Sequence, residues 1–352
     1  MSAAPENDAV DVAGGLSVVV VTYDSADAVS RSLPAIAAEL RPGDELIVCD
    51  NASTDGTPGA VRELVPAAVI LELGENLGFG AACNAGAAAS RNELLLFLNP
   101  DAVVRPGFRD AIELPLAEGR EWACWQGLVT AEEGATVNTW GNVVHFTGIA
   151  WAGGAGRPIA DAPAEPREIA FASGACLAVR RSAWQAVGGF SEEYFLYQED
   201  TDLGLRLRLA GHRIGLEPRA VCEHEYEFTK GAHKWRYLER NRWATVVRTY
   251  PASLLALLVP ALIATEVALL LVAATGGWLG AKLEANGEGL RRLPRLRSER
   301  REIQADARIG AGEFAAHLSA DLDSDFVGPA GRSRVLHAAL RAYWALVRGL
   351  LR

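Results

Sequence analysis

Apolar residues along the chain fall into runs with two different periods. Residues 16–23 (LSVVVVTY) form an unbroken, largely β-branched run, the pattern of a strand buried on both faces. Over residues 25–40 the period lengthens. Val29, Leu33, Ile36 and Leu40 recur three or four apart, as on one side of a helix. ELIVCD (45–50), AVILEL (68–73) and ELLLFLN (93–99) predict three further strands, and the alanine-rich stretch 79–90 predicts a helix between the last two. Strands separated by helices predict a parallel sheet with crossover connections.

The pattern changes at about residue 119. Residues 119–166 are rich in Gly, Trp and Thr without a helical period, which predicts short strands and loops. ASGACLAVRRSAW (172–184) reads as a strand followed by a helix, 191–210 as a loop leading into a helix, and 214–221 as another short strand. A third regime begins near Pro251. PASLLALLVPALIATEVALLLVAATGGWLGA is apolar for more than twenty residues, interrupted by Pro260 and Glu266, and a basic stretch follows it (Lys282, Arg291, Arg292, Arg295, Arg297, Arg300, Arg301). The last twenty residues carry Val335, Leu336, Leu340, Trp344, Leu346 and Leu350 at helical spacing, with arginines on the other side.

These regimes suggest a lead-in over 1–14, a strand–helix half over 15–118, a strand- and loop-rich half over 119–245 (the nucleotide-binding and acceptor halves under the resemblance given below) and a helical, membrane-associated region over 246–352. The apolar stretch is long enough to span a bilayer. Pro260 and Glu266 suit a span poorly, and arginines on both flanks (Arg236, Arg240, Arg242 and Arg248 before it) give no inside–outside asymmetry. A hairpin or interfacial helix on the inner leaflet is the expected arrangement, with the C-terminal helix assisting.

Composition narrows the classes. With 352 residues, half of them hydrophobic, a large core is available, and a net charge of −10 argues against a nucleic-acid surface. The five cysteines show no C-x-x-C spacing, which points to free thiols. The N-terminus lacks the basic and apolar regions of a secretory signal.

Candidate chemistry sits where the predicted strands end, the place where open α/β sheets bind ligands. VVTYDS ends the first strand and DNASTDGT the second, offering a carboxylate and small polar residues in a turn. GENLGFGAACN (74–84) joins a strand to a helix, a position suited to a phosphate. It is neither G-x-G-x-x-G nor a P-loop. LNPDA (98–102) puts Asp101 at the end of the fourth strand, where a carboxylate beside a diphosphate is a natural Mg²⁺ or Mn²⁺ ligand. Glu199, Asp200 and Asp202 crowd three carboxylates into four positions, and one of them is a candidate to take a proton from an acceptor hydroxyl. His224 follows in a polar setting. Each cluster alone also reads as ordinary turn or cap chemistry.

Taken in order, VVTYDS, DNASTDGT, NLGFGAACN, NPDA, SGACLAVRR, GGFSEEYFLYQEDTDL and His224 resemble glycosyltransferase family 2, and within it the bacterial rhamnosyltransferase-type members. The resemblance covers about residues 16–230. It implies the GT-A fold, a Rossmann-like, mostly parallel sheet with helices on both faces, carrying here a C-terminal helical extension. It also implies an inverting hexosyltransferase that needs Mg²⁺ or Mn²⁺. By this resemblance Thr22, Tyr23 and Asp50 match base-binding positions, with Asn51 and Ser53 supporting them. Asn76, Gly78 and Asn84 match the loop bordering the nucleotide, and Gly174 and Ala175 the surroundings of sugar and acceptor. Asp101 matches the metal aspartate of the family's D-x-D motif, Asp200 of the Glu199–Asp200 pair the general base, and His224 a histidine that completes the metal site in some members. Asn99 departs from the pattern by replacing the first aspartate of D-x-D.

The implied partners are a nucleotide-diphosphate sugar, with thymidine and rhamnose the expected pair, a lipid-linked or cell-envelope glycan acceptor, a membrane surface and, in some arrangements, a second copy of the chain. The implied location is the cytoplasmic face of a bacterial plasma membrane. Two rival readings are a nucleotidyltransferase acting on sugar phosphates and a non-catalytic, membrane-anchored nucleotide-sugar binder. The first is disfavoured because VVTYDSADAV has no Gly-rich, Lys- or Arg-bearing loop.

Overall fold

The computed structural model describes residues 14–224, 231–322 and 333–352. The first half alternates as its pattern predicts: β1 (Leu16–Thr22), α1 (Ala26–Glu39), β2 (Glu45–Asp50), α2 (Thr57–Leu64), β3 (Val69–Glu72), α3 (Phe79–Ala89), β4 (Leu94–Leu98), β5 (Val103–Val104) and α4 (Phe108–Ala117). Side chains alternate across the sheet. Val18 and Val20 of β1 pack with Val29, Leu33 and Ile36 of α1 on one face, while Val19 and Val21 pack with Ala82, Cys83 and Ala87 of α3 on the other. The alanine content of α3 has a steric reason. A side chain at Gly86 would meet Val19 Cγ1 at 2.4 Å and Cys49 Sγ at 2.9 Å, so this helix must lie close to the sheet. β3 is the edge strand and is less buried than its apolar run suggests.

The second half supplies β6 (Trp122–Ala131), β7 (Thr136–Thr139), β8 (Asn142–Val144), β9 (Ala150–Ala152), β10 (Arg167–Glu168), β11 (Cys176–Arg180), α5 (Arg181–Ala186), α6 (Glu199–Leu209) and β12 (Arg213–Glu223). Two of these strands exceed expectation. β6 runs for 10 residues in a region where only short strands are predicted. β12 runs for 11 because a register shift between Glu217 and Val221 lets it continue past Pro218. The main sheet has the order β10-β12-β6-β11-β4-β1-β2-β3, with β5 on β12 and β7 on β6, while β8 and β9 form a separate hairpin.

The C-terminal part is helical: α7 (Gly231–Thr249), α8 (Ala252–Thr275), α9 (Leu279–Ala305), the short α10 (Ala311–Ala315) and α11 (Arg334–Leu350). Residue 245, the expected edge of the catalytic region, lies inside α7. The helix α8 runs unbroken through Pro260 and Glu266. Leu254, Leu258 and Leu262 are buried on one side of it, and Val259, Ile263, Val267 and Leu271 are exposed on the other.

The basic residues around α8 are largely committed inside the protein. Arg242 pairs with Glu239 at 3.0 Å and with Glu266 at 2.9 Å, and Lys282, fully buried, pairs with Glu239 and with Glu266. Arg248 reaches Asp202 and Glu299, and Arg292 and Arg295 both reach Glu193. Within the basic stretch after the apolar run, Lys282, Arg292 and Arg300 therefore belong to the packing side of α9, whereas Arg291, Arg295, Arg297 and Arg301 are exposed.

Candidate active site

The strands β1, β2, β3, β4, β6 and β12 run parallel, so their carboxyl ends share one sheet edge. The strand β11 is antiparallel to β4 and β6, with Cys176 opposite Leu98, so its amino end reaches the same edge. Topology thereby brings together residues far apart in sequence. Thr22 and Asp50 end adjacent strands, Asn99 follows β4, Gly174 and Ala175 precede β11, and His224 follows β12. The Asn99 N–H donates to the Ala175 carbonyl at 3.2 Å, and the His224 N–H to the Thr130 carbonyl at 2.9 Å.

The two loops beyond β1 and β2 lock each other. Buried Asp50 accepts from Thr22 Oγ1 (2.8 Å), Ser53 Oγ (2.6 Å) and the Ser53 N–H (2.9 Å). Asp24, at φ 46°, accepts from the Thr54 N–H at 2.7 Å, and Asp55 accepts from the Ala26 N–H at 2.9 Å. Asn51 spans to the third loop, accepting from the Leu77 N–H (3.2 Å) and donating to the Gly78 carbonyl (3.3 Å). Asn76 accepts from the Gly78 N–H at 3.0 Å. Gly78 itself has φ 86° and lies against Phe195, where a β-carbon would meet the Phe195 carbonyl oxygen at 2.4 Å, so glycine is required. Asn84 binds the Phe190 carbonyl and N–H at 2.9 and 3.0 Å. Against these buried amides and carboxylates, Tyr23 projects its ring into solvent.

At the end of β4, Asp101 Oδ1 lies 3.1 Å from His224 Nε2, and Asn99 Nδ2 lies 3.1 Å from that same nitrogen. The two contacts make opposite demands on the imidazole. An amide donor calls for a lone pair on Nε2, whereas a carboxylate calls for a proton there. With the Asn99 amide turned so that its oxygen faces the ring, one Nε2–H serves both neighbours; with the proton on Nδ1 instead, the carboxylate oxygen and the free Nε2 lone pair would fit a Mg²⁺- or Mn²⁺-type ligand pair. From behind, Asn138 Nδ2 donates to the His224 carbonyl at 2.8 Å and approaches Nδ1 at 3.4 Å, which fixes the ring. Among the described residues no group of three His, Cys, Asp or Glu forms a closed cage. A pair of such ligands would leave coordination positions to substrate oxygens.

The three carboxylates of α6 separate into two roles. Asp202, fully buried, is held by Arg206 Nε (2.7 Å), Arg248 Nη1 (2.8 Å) and Tyr194 OH (3.0 Å). Burial pushes its carboxyl up, and the two guanidinium groups outweigh that and bring it below the ordinary range. It is a structural anion, not a candidate base. Asp200 is half-buried and accepts from the Gly174 N–H (3.2 Å), from Asn142 Nδ2 (3.4 Å) and from the Thr201 N–H (2.7 Å). Burial raises its pKa and these hydrogen bonds only partly restore it. Buried Glu199 is pushed up to about 8, by burial first and by the neighbouring Asp200 charge second, and its Oε2 has no hydrogen-bond partner among the described residues.

Asp200 and the Asp101 corner are connected: Gly174 bonds to Asp200, and its neighbour Ala175 bonds to Asn99. Four contributors were not singled out from the sequence: Asn138, Asn142, Asp24 and Asp55. A cavity of about 510 Å³ lined by Arg120, Arg167 and Arg213 lies at the opposite sheet edge and contains none of these residues.

Comparison with known proteins gives concordant results. Residues 17–188 match the family model "Glycosyl transferase family 2". The chain is 31% identical, over 66% of its length and 83% of the relative's, to the N-acetylglucosaminyl-diphospho-decaprenol L-rhamnosyltransferase of Mycobacterium tuberculosis. Among solved structures, a mannosyltransferase from Pyrobaculum calidifontis in complex with GDP-Man and Mn²⁺ superposes with a TM-score of 0.51 at 20% identity, covering 83% of this chain and 86% of that one. GalNAc-T7 with UDP, GalNAc and Mn²⁺ gives 0.54 at 13% identity, covering 67% and 48%. At these identities the structural likenesses establish the fold.

Proposed function

The chain belongs to glycosyltransferase family 2, and from that premise we propose that it moves rhamnose from a thymidine-diphosphate donor to a sugar-diphospho-lipid, inverting the anomeric centre. The observation that carries this reading is the meeting of two different acidic centres at one sheet edge: Asp101 against His224, and Asp200 joined to them through Gly174, Ala175 and Asn99. The choice of sugar and acceptor follows the mycobacterial relative's name.

In this reading the mutually locked loops hold the nucleoside. Asp50 is engaged by Thr22 and Ser53, so its part is to shape the loop, leaving the Tyr23 ring and the backbone of residues 51–53 to face the base. The loop of Asn76, Gly78 and Asn84 borders the diphosphate. Asp101 and His224, with Asn99 beside them, would hold Mg²⁺ or Mn²⁺, which when bound would neutralise charge on the departing diphosphate. Asp200 takes the proton of the acceptor hydroxyl. That oxygen bonds to the anomeric carbon from the face opposite the donor diphosphate, the carbon–oxygen bond to the diphosphate breaks, and the nucleoside diphosphate leaves. Glu199, protonated at neutral pH, spares Asp200 a second negative neighbour.

The C-terminal helices serve to hold the enzyme at a membrane, on the cytoplasmic face where nucleotide sugars are made. The exposed stripe Val259, Ile263, Val267 and Leu271 supports insertion of one face of α8 into the interface. Its length and composition also suit a span. Against that stands Glu266, halfway along α8 and paired with Lys282 of α9 and Arg242 of α7. A spanning α8 would carry this ion cluster to the bilayer centre, where charges are least tolerated.

The test is transfer by purified full-length chain from dTDP-rhamnose to N-acetylglucosaminyl-diphospho-polyprenol in detergent with Mn²⁺. A thermal-shift panel of nucleotide sugars would run alongside. Stabilisation by dTDP-rhamnose only when Mn²⁺ is present is expected. Stabilisation and transfer with a UDP- or GDP-sugar instead would overturn the donor assignment.

A further inference from the structure

Glu199 and Asp200 open α6 directly after a turn of unusual backbone. Phe195, Tyr197 and Gln198 have φ values of 60°, 68° and 64°, in the left-handed region that residues with side chains rarely occupy. Such a turn persists only where its surroundings over-determine it. The determinant comes from α7. Asn241, fully buried, directs its Nδ2 at three carbonyls of that turn: Tyr194 (3.0 Å), Leu196 (2.9 Å) and Tyr197 (2.8 Å).

Three acceptors converge on an amide nitrogen with two hydrogens, so every donor position is used and one is shared. Arg240 orients the amide, donating from Nε to Asn241 Oδ1 at 2.9 Å, and adds a bond from Nη2 to the Tyr194 carbonyl at 2.6 Å. Asparagine is a poor residue for the interior of a helix, and propensity gives no reason for it here. The same turn also meets the nucleotide side of the cleft, since the Phe195 carbonyl accepts from the Phe79 N–H at 2.8 Å beside Gly78.

We propose that Asn241 is a positioning residue for the reaction: it locks the left-handed turn that aims Asp200 at the acceptor. This rests on the reading of Asp200 as the base. Asn241 touches no reacting atom in this scheme. It acts by fixing where α6 begins, and a displacement of about 1 Å in a catalytic group is enough for a loss of about 100-fold.

The experiment compares Asn241→Ala with wild type and with Asp200→Asn in the full chain, using the transfer assay and hydrogen exchange by mass spectrometry. Asn241→Ala is expected to lower kcat about 100-fold, leave the KM for dTDP-rhamnose unchanged, and speed exchange at residues 195–200 but not at residues 50–57. Gln198→Gly, which removes the left-handed penalty at that position, is expected to restore part of the lost kcat in the Asn241→Ala background. If Asn241→Ala does not fold, Asn241→Ser, which keeps one donor hydrogen, takes its place with the same expectations.

Unchanged kcat with wild-type exchange at 195–200 overturns the proposal. So does a loss of stability that speeds exchange throughout the chain, residues 50–57 included, with no excess at 195–200. Wild-type turnover by Asp200→Asn would instead overturn the assignment of the base, and the exchange result would still decide whether Asn241 holds the turn.

Discussion

Replacing Asp202 by asparagine removes a negative charge from a pocket that holds two guanidinium groups. Arg206 and Arg248 lie 2.7 and 2.8 Å from its oxygens, and Tyr194 donates a further bond at 3.0 Å, all out of solvent. Removing one partner of a buried ion pair costs about 3–5 kcal/mol, because the remaining charge is left uncompensated. Two features place Asp202 at the lower end of that range. Arg248 keeps Glu299 at 2.9 Å, and Arg206 keeps the Gly189 carbonyl at 2.7 Å. About 3 kcal/mol at roughly 2–3 °C per kcal/mol gives a fall in Tm of about 6–9 °C. Asp200→Asn, two positions earlier, is expected to behave oppositely. Burial already disfavours its charged form, so a neutral amide leaves Tm within about 2 °C of wild type. Loss of the proposed base is expected to lower turnover by about 10²–10⁴-fold. Thermal unfolding followed by circular dichroism at pH 7, with turnover measured at 25 °C on folded protein, reads both effects. A wild-type Tm for Asp202→Asn, or wild-type turnover for Asp200→Asn, would refute this division of roles.

Three further outcomes follow from the same geometry. Glu199 keeps its proton in the folded state up to about pH 8, whereas the unfolded chain releases it near 4.5, so stability carried by that proton is full below pH 4.5 and is lost as pH rises towards 8; Glu199→Gln is expected to flatten Tm against pH across this window, and an unchanged slope would contradict it. Asp101→Ala is expected to raise the Mn²⁺ concentration needed for half-maximal turnover at least tenfold, since the proposed metal corner rests on Asp101 and His224 alone, and a wild-type Mn²⁺ titration would remove Asp101 from that role. Ile263→Glu with Leu271→Glu, both on the exposed side of α8, is expected to lower co-sedimentation with anionic phospholipid vesicles at least tenfold while leaving Tm unchanged, and undiminished sedimentation would place the contact elsewhere.

Legibility in the sequence depended on whether an element's environment is set locally. The strands β1 and β4 are read easily because burial on both faces leaves an unbroken apolar run, and α3 because close approach to the sheet selects small residues throughout. The length of β12 was hidden because Glu217, Pro218 and Arg219 interrupt its apolar pattern, and only the register shift and the bonds between Glu217 and Arg219 accommodate them. The three carboxylates of α6 look equivalent in sequence. What distinguishes Asp202 is Arg248, which is supplied by α7, forty-six positions away. Asn138 and Asn142 lie within β7 and β8, strands of four and three residues that are too short for a sequence period to reveal. The partners of Lys282 and Arg292 in the basic stretch after α8 are not legible either, because the acidic residues Glu193, Glu239 and Glu266 sit on elements that no local pattern connects.

The site is divided between two kinds of support. On the nucleotide side, the loops of Asp24, Asp50, Ser53 and Asp55 hold one another through hydrogen bonds among themselves, directly on the ends of β1 and β2. On the acceptor side, the turn before α6 is held from outside by Asn241 and Arg240. Their neighbour Arg242 is part of the buried cluster that joins α7 to Glu266 of α8 and Lys282 of α9. On the proposed assignments, donor binding is built into the sheet edge, while the alignment of the base is tied to the helices that carry the exposed apolar stripe. A chain with this layout is expected to bind its donor wherever it is folded. Disturbing the α7–α8 ion cluster, by contrast, should reach Asp200 through Asn241 and act on kcat before it acts on donor affinity.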